Sequence, residues 1–132
     1  MSRGLIQLKF KDDGKYITIQ KNGKLASRKL TKSDLSVLIK EAVKRGRFVD
    51  LSNEDLSRLD LTKLNLMNAK LCKVNLSNAN LSNANFFNAD LSESNMSNAN
   101  LSYTDLSFAN LSRVRREGAN LFNTVLFKTN LS

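Results

Sequence analysis

The sequence predicts a mainly β coil built by repetition, with a small α+β segment in front of it. Three observations predict this. From Leu51 onward a large apolar residue recurs at every fifth position through sixteen complete pentads, and only Arg116 breaks that column. Two positions before each of them runs a second, mostly small column that includes Leu59, Ala69, Val74, Ala79, Ala84, Ala89, Ala99 and Ala109. Residues 1–50 lack this period and show first a two-residue alternation and then a helical one.

A period of five matches neither the 3.6 residues of a helix nor the two of a strand, so neither keeps Leu51, Leu56, Leu61 and Leu66 on one face. The chain must turn within each pentad. Large and small residues two apart point the same way when the backbone between them is extended. Asp or Asn lies between them in most pentads (Asp60, Asn75, Asn80, Asn85, Asp90, Asn100, Asp105, Asn110), and Ser usually follows the large residue. Their short side chains bond to nearby backbone and favour turns. The result is a narrow coil, apolar inside and polar at its corners. On this reading Leu81→Ala is costly, whereas Asn83→Ala, facing outward, is neutral.

Ala79-Asn80-Leu81, Ala84-Asn85-Phe86, Ala89-Asp90-Leu91 and Ala109-Asn110-Leu111 resemble the A-(D/N)-L-x-x pattern of the pentapeptide-repeat family, and the resemblance covers 51–132. It implies a right-handed quadrilateral β-helix, four pentads to a coil and about four coils: 51–70, 71–90, 91–110 and 111–130. At ~4.8 Å per coil the rod would stand only about 20 Å tall. Glu54 and Ser94 depart from the small column; Lys70, Arg115 and Val125 replace the Asp or Asn. An unpaired guanidinium inside so narrow a coil would cost several kcal/mol, so a bulge is expected at Arg116, with Gly118 allowing it.

The chain is expected to divide into a basic hairpin and helix over 1–50 and the β-helix over 51–132. LIQLKF puts Ile6, Leu8 and Phe10 on one face, KYITIQ does the same for Ile17 and Ile19, and Asp13-Gly14 between them signals a hairpin. Asn22-Gly23 is a second turn signal, and KLASRKL after it reads as a third, shorter strand. Thr31 and Asp34 are spaced as a capping box, Gly46 is placed to end the helix, and Leu35, Leu38, Ile39, Ala42 and Val43 form its apolar stripe. A hairpin this small needs a cover, and so does the open end of a repeat coil. The segment therefore reads as a cap on Leu51–Leu66.

The net charge of +9 is uneven: residues 1–50 carry 13 Lys+Arg against 5 Asp+Glu, net +8, and residues 51–132 carry 8 against 7, net +1. Lys9, Lys11, Lys15, Lys21, Lys24, Arg28, Lys29, Lys44, Arg45 and Arg47 could form a positive surface for nucleic acid or an acidic protein. The irregularity at Arg113, Arg115 and Arg116 reads first as a tolerated defect near the chain's end; the alternative is a second candidate contact with a phosphate or carboxylate. With Phe10, Tyr16 and Phe48 as the only aromatics in 1–50, a stacking platform for single strands is poorly supported.

With no histidine, a Ser-His or Cys-His pair cannot form and the usual zinc sets lose their ligands. There is no phosphate-cradling glycine loop. The expectation is a non-enzyme with no cofactor, no catalytic residues and no metal. Single Cys72 excludes an internal disulfide and is expected to face solvent. No apolar run spans a bilayer and the basic start lacks a signal-peptide core, so a cytoplasmic protein without a membrane role is expected. The favoured function is a protein-interaction module, a short rigid rod that binds and modulates a cytoplasmic protein. Nucleic-acid binding through the basic N-terminal region is an alternative. Resemblance alone adds interaction with DNA gyrase, which some family members engage by mimicking duplex DNA; the lack of acidic charge argues against it. Phe122, Leu126, Phe127 and Leu131 are expected to be exposed on the last coil and to form a two-fold homodimer, as family resemblance also implies. Phe87, Phe108 and Phe127 fall on corners close enough for a shared aromatic strip.

Overall fold

The computed structural model describes residues 8–132, apart from the side chains of Lys24 and Ser27. Ile6, the first residue of the expected alternation, lies outside this range; Leu8 and Phe10 are half-buried against the core. β1 (Phe10–Asp12) pairs antiparallel with β2 (Tyr16–Ile19), Phe10 opposite Ile19. The turn between them is closed by its own carboxylates. Asp13 Oδ1 accepts the amides of Lys15 (2.9 Å) and Tyr16 (2.7 Å), and Gly14 takes φ +95°.

The third strand is not KLASRKL. That stretch forms a 3-10 turn over Gly23–Ser27, and Leu25 and Leu30 are both buried. Residues five apart fall on opposite faces of a strand, so a strand could not have buried both. The place beside β2 goes to β3 (Phe48–Val49), which runs parallel to it and leads directly into the coil. Helix α1 (Lys32–Arg45) carries the expected capping box: Thr31 Oγ1 accepts the Asp34 amide (3.2 Å) and Asp34 Oδ2 accepts the Thr31 amide (2.8 Å). Gly46 ends it at φ +67°. Leu35, Leu38 and Ala42 are buried and Ile39 half-buried, but Val43 is 75% exposed, because the buried arc of α1 is narrower than its apolar stripe.

From Asp50 to Asn130, single-residue parallel bridges join residues 20 apart, such as Asp50 to Lys70, Lys70 to Asp90 and Asn110 to Asn130. That offset is four pentads. The Leu51 N–H donates to the Lys70 carbonyl (2.8 Å) and the Lys70 N–H to the Val49 carbonyl (2.9 Å), so successive coils are laced in both directions. The Asp or Asn at each corner accepts the amide two residues on, as Asn75 Oδ1 does from Ser77 (3.0 Å). The third residue of every pentad has positive φ, between 52° and 67° for all but Gly118. With amides such as that of Ala79 donating back to the Leu76 carbonyl (3.1 Å), these are turns of the kind that needs a left-handed third residue. Seven Asn occupy this column (53, 68, 78, 83, 88, 98, 123), and Asn tolerates that region better than most residues.

Large and small columns fill the interior, from Leu51 through Leu81 and Phe86 to Leu111. Glu54, out of place in the small column, is matched from the N-terminal segment by Lys21 (2.9 Å). Ser94 is fully buried and its Oγ has no protein partner, whereas Thr104 Oγ1 donates to the Leu101 carbonyl (2.7 Å). No bulge forms at Arg116. Its pentad keeps the regular turn, the Ala119 amide donates to the Arg116 carbonyl (3.1 Å), and Gly118 takes the column's ordinary positive φ. Arg116 is exposed because no described coil stacks beyond it; the equivalent Leu121, Leu126 and Leu131 are exposed too. A Cβ at 118 would press on the Asn98 side-chain oxygen, so a larger residue there would make that side chain turn aside.

Leu81→Ala removes a fully buried side chain and should cost about 2–5 kcal/mol. Asn83, at φ +61°, is not the neutral site its exposure suggested. Asn83→Ala should cost about 1–2 kcal/mol, and Asn83→Gly much less. Urea unfolding of the three variants checks both columns; equal losses for Asn83→Ala and Asn83→Gly would contradict the turn assignment.

Candidate functional surfaces

Six of the thirteen cations of residues 1–50 are engaged by carboxylates within the protein. Arg28 grips Asp34 (2.8 Å), and Lys29 donates to the Ser57 carbonyl (2.8 Å) with Asp55 at 3.7 Å. Arg45 reaches Glu41 (2.6 Å) and Asp12 (3.4 Å), and Arg47 reaches the same Asp12 (2.7 Å). Lys21 with Glu54 and Lys32 with Asp60 (3.7 Å) tie the segment to the first coil. Of the candidate anion contacts, Lys9, Lys11, Lys15, Lys44, Arg113, Arg115 and Arg116 are exposed and make no ion pair among the described residues. They do not form one patch. Arg113 lies three 20-residue steps beyond Asn53, about 14 Å along the coil axis, so the arginines sit at the far end from the lysines.

These ion pairs set a pH dependence. The Arg47 guanidinium, then the Gly14 amide, hold the Asp12 carboxyl below its ordinary 3.8. The Ser57 and Thr62 hydroxyls do the same for Asp55 and Asp60. At Asp34 burial pushes upward, but Arg28 and the Thr31 amide outweigh it and the shift is again downward. A carboxyl depressed on folding contributes stability that is present above its unfolded value and lost as pH falls through the folded one. The melting temperature should therefore fall below about pH 4, starting from the ordinary 3.8, and the fall between pH 7 and pH 3 should be smaller in Asp34→Asn.

Cys72 differs from expectation. It is half-buried, its thiol donates to Asp90 Oδ2 (3.2 Å), and the Ser92 hydroxyl donates to its sulfur (3.6 Å). Burial, then the neighbouring Asp90, push the thiol's ionisation upward, away from reactivity. Among the described residues no cluster of His, Cys, Asp and Glu could hold a metal ion, and no helix is long and apolar enough to cross a membrane.

The four residues expected at the dimer contact, Phe122, Leu126, Phe127 and Leu131, are all exposed on the last coil. Leu121 and Val125 join them; the first sits in the interior column, so its position alone could have flagged it. Tyr103 meets Phe122 edge-on, ring centres 5.7 Å apart. The expected aromatic strip is present. Phe87 packs on Phe108 (5.4 Å) and Phe108 on Phe127 (5.6 Å), with the Lys128 ammonium over both of the latter rings. Beside the N-terminal segment a groove of about 170 Å³ opens between α1 and the first coil, lined by Ile39, Ala42, Val43, Phe48 and Met67 among others.

Comparison with known proteins agrees with this geometry. The pentapeptide repeat protein Rfr23 of the cyanobacterium Cyanothece 51142 superposes with a TM-score of 0.62 at 39% identity, covering 62% of this chain and 56% of that one. HetL, a pentapeptide repeat protein involved in heterocyst differentiation regulation in Nostoc sp. strain PCC 7120, gives 0.61 at 33%, covering 62% and 38%. The chain thus spans only about half, or less, of the length of these two proteins. Both imply a right-handed β-helix for the coil. A comparison with curated proteins gives no match. A family model of pentapeptide repeats, in 8 copies, matches residues 47–78 and 79–115. More than half of the chain lies in that match, and the chain belongs to the pentapeptide-repeat family.

Proposed function

We propose that the protein is a non-enzymatic, cytoplasmic protein-interaction module, in which residues 1–50 cap a short rigid β-helical rod that binds and modulates a protein partner. The observation that carries this is the set of large apolar side chains left exposed on a scaffold whose coils are hydrogen-bonded throughout: Val43, Phe48, Met67, Tyr103, Phe108, Phe122 and Phe127. Apolar surface on a rigid frame costs solubility and marks contact sites. Pentapeptide-repeat proteins serve as interaction modules, and the regulatory setting of HetL accords with that use. Interaction with gyrase by mimicry of duplex DNA is disfavoured, since residues 51–132 have a net charge of +1.

The C-terminal coil is read as a homodimer contact through Phe122, Leu126, Phe127 and Leu131. Nucleic-acid binding is the second reading, favoured by the free lysines of the cap and by Arg113, Arg115 and Arg116. Salt separates the two. Residues 111–130 hold four cations against one carboxylate, net +3, so a two-fold contact there opposes like charges. Screening should strengthen the dimer as salt rises, whereas phosphate binding weakens steeply. Sedimentation at low and high salt should show more dimer at high salt, abolished by Phe122→Ser with Phe127→Ser; a monomer at concentrations well above micromolar contradicts the contact.

The partner is sought by capture from bacterial lysate on the tagged protein, with and without nuclease. A discrete protein that survives nuclease and moderate salt is the expected result. Capture of nucleic acid alone, lost as salt rises, would transfer the function to the basic residues.

A further inference from the structure

The exposed apolar side chains form a track. Pentads beginning at 66, 86, 106 and 126 share one side of the coil, since each lies 20 residues from the next. Their outward residues Met67, Phe87, Phe108 and Phe127 follow one another down that side, with the three rings in contact. At its upper end the row reaches the groove beside α1, which Met67, Val43 and Phe48 line together. The row thus extends from Val43, 75% exposed, to Phe127, 58% exposed, with Phe87 half-buried within it.

Its spacing discriminates between occupants. Apolar groups recur once per coil, about 4.8 Å apart. A helix laid along the axis advances ~5.4 Å per turn, whereas same-face residues of an extended strand are about 6.8 Å apart. Over three coil steps a helix drifts out of step by about 2 Å and a strand by about 6 Å. Charge narrows the choice further. Lys44 follows Val43 on α1 and Lys128 lies over Phe108 and Phe127, while Lys70, which ends the pentad of Met67, sits over the Tyr16 ring. The carboxylates of Asp90, which accepts the Cys72 thiol and the Ser92 amide, and of Asp105, which accepts the Ser107 amide, lie beside the middle of the track, so its cationic flanks are at the two ends.

We propose that this track is the docking site for an amphipathic α-helix of a partner protein, about four turns long, with one apolar residue per turn seated on it and acidic residues near its two ends. This rests on the reading of the protein as an interaction module and names the surface and the partner's form. It shares Phe127 with the C-terminal end contact but extends beyond it, because Phe87 and Phe108 belong to earlier coils.

The test uses the full chain and a variant built to keep the fold. Phe108→Asn installs the residue that Asn68 and Asn88 already supply at that left-handed corner, and Phe87→Ser installs the commonest residue at its pentad position. Displayed random peptides of ~16 residues, about four and a half helical turns, are selected on the wild-type protein. Enriched peptides should carry apolar residues at i, i+3 or i+4, and i+7 with Asp or Glu beside them, and become helical on binding by circular dichroism. Their affinity should fall at least about tenfold for the double variant, at unchanged melting temperature, and persist for Phe122→Ser. No enrichment, an alternating or basic consensus, or affinity indifferent to the double variant would overturn the proposal. So would self-association abolished by the double variant, which would assign the track to a second copy. Lysate capture on the same pair separates this from the broader reading. A partner held equally by wild type and double variant removes the track and leaves the interaction module standing, whereas capture of nothing by the wild type removes the module itself.

Discussion

Each pentad must turn the chain a quarter of the way around, and four together must bring the backbone back to within hydrogen-bonding distance of the neighbouring coil. That is achieved by one left-handed residue per pentad and one bridge per pentad, repeated without insertion from Asp50 to Asn130. Neither device is strong alone. A left-handed turn at a residue such as Lys63 or Tyr103 costs about 1–2 kcal/mol, and a single-residue bridge is a short ladder. Stacking makes them cooperative, because each coil supplies carbonyls to the amides of its neighbour and covers its neighbour's Leu and Ala.

The two ends of the coil are handled differently. At the start, β3 continues the backbone pattern into the hairpin sheet, α1 lies over the apolar opening, and Lys21, Lys29 and Lys32 fasten the segment to Glu54, Asp55 and Asp60. Exposed ion pairs contribute little individually, so burial of Leu25, Leu30, Leu35 and Leu38 does most to hold the N-terminal segment in place. At the other end the interior positions 116, 121, 126 and 131 are all exposed. An arginine is tolerated at 116 for that reason, and not because the backbone makes room for it.

The inward columns were legible from sequence because packing dictates them: a site such as Leu81 or Ala79 accepts only a certain size, and the period displays it. The hairpin, the capping box and Gly46 were legible because local chemistry encodes them. Three features were not. The left-handed role of Asn83 was hidden because an exposed Asn serves many conformations equally. The strand beside β2 came from Phe48–Val49, since sequence does not say which distant segment takes a free edge. The engagement of Arg45 and Arg47 by Asp12, more than thirty residues away, has no local signature either. Of the candidate surfaces, the column arithmetic located the aromatics, but only the folded chain shows that their rings touch and that the row meets the groove at Met67.

The 20-residue register also separates two inheritances that sequence runs together. Duplicating or deleting one pentad leaves every Leu and Ala pointing inward, so the chain still folds, but everything after that point is carried a quarter of the way around the axis. Phe87 and Phe127 would then stand on adjacent sides. Only a change of 20 residues restores their alignment. The inward pattern is thus kept by changes in steps of five, while the outer decoration keeps its alignment only in steps of 20.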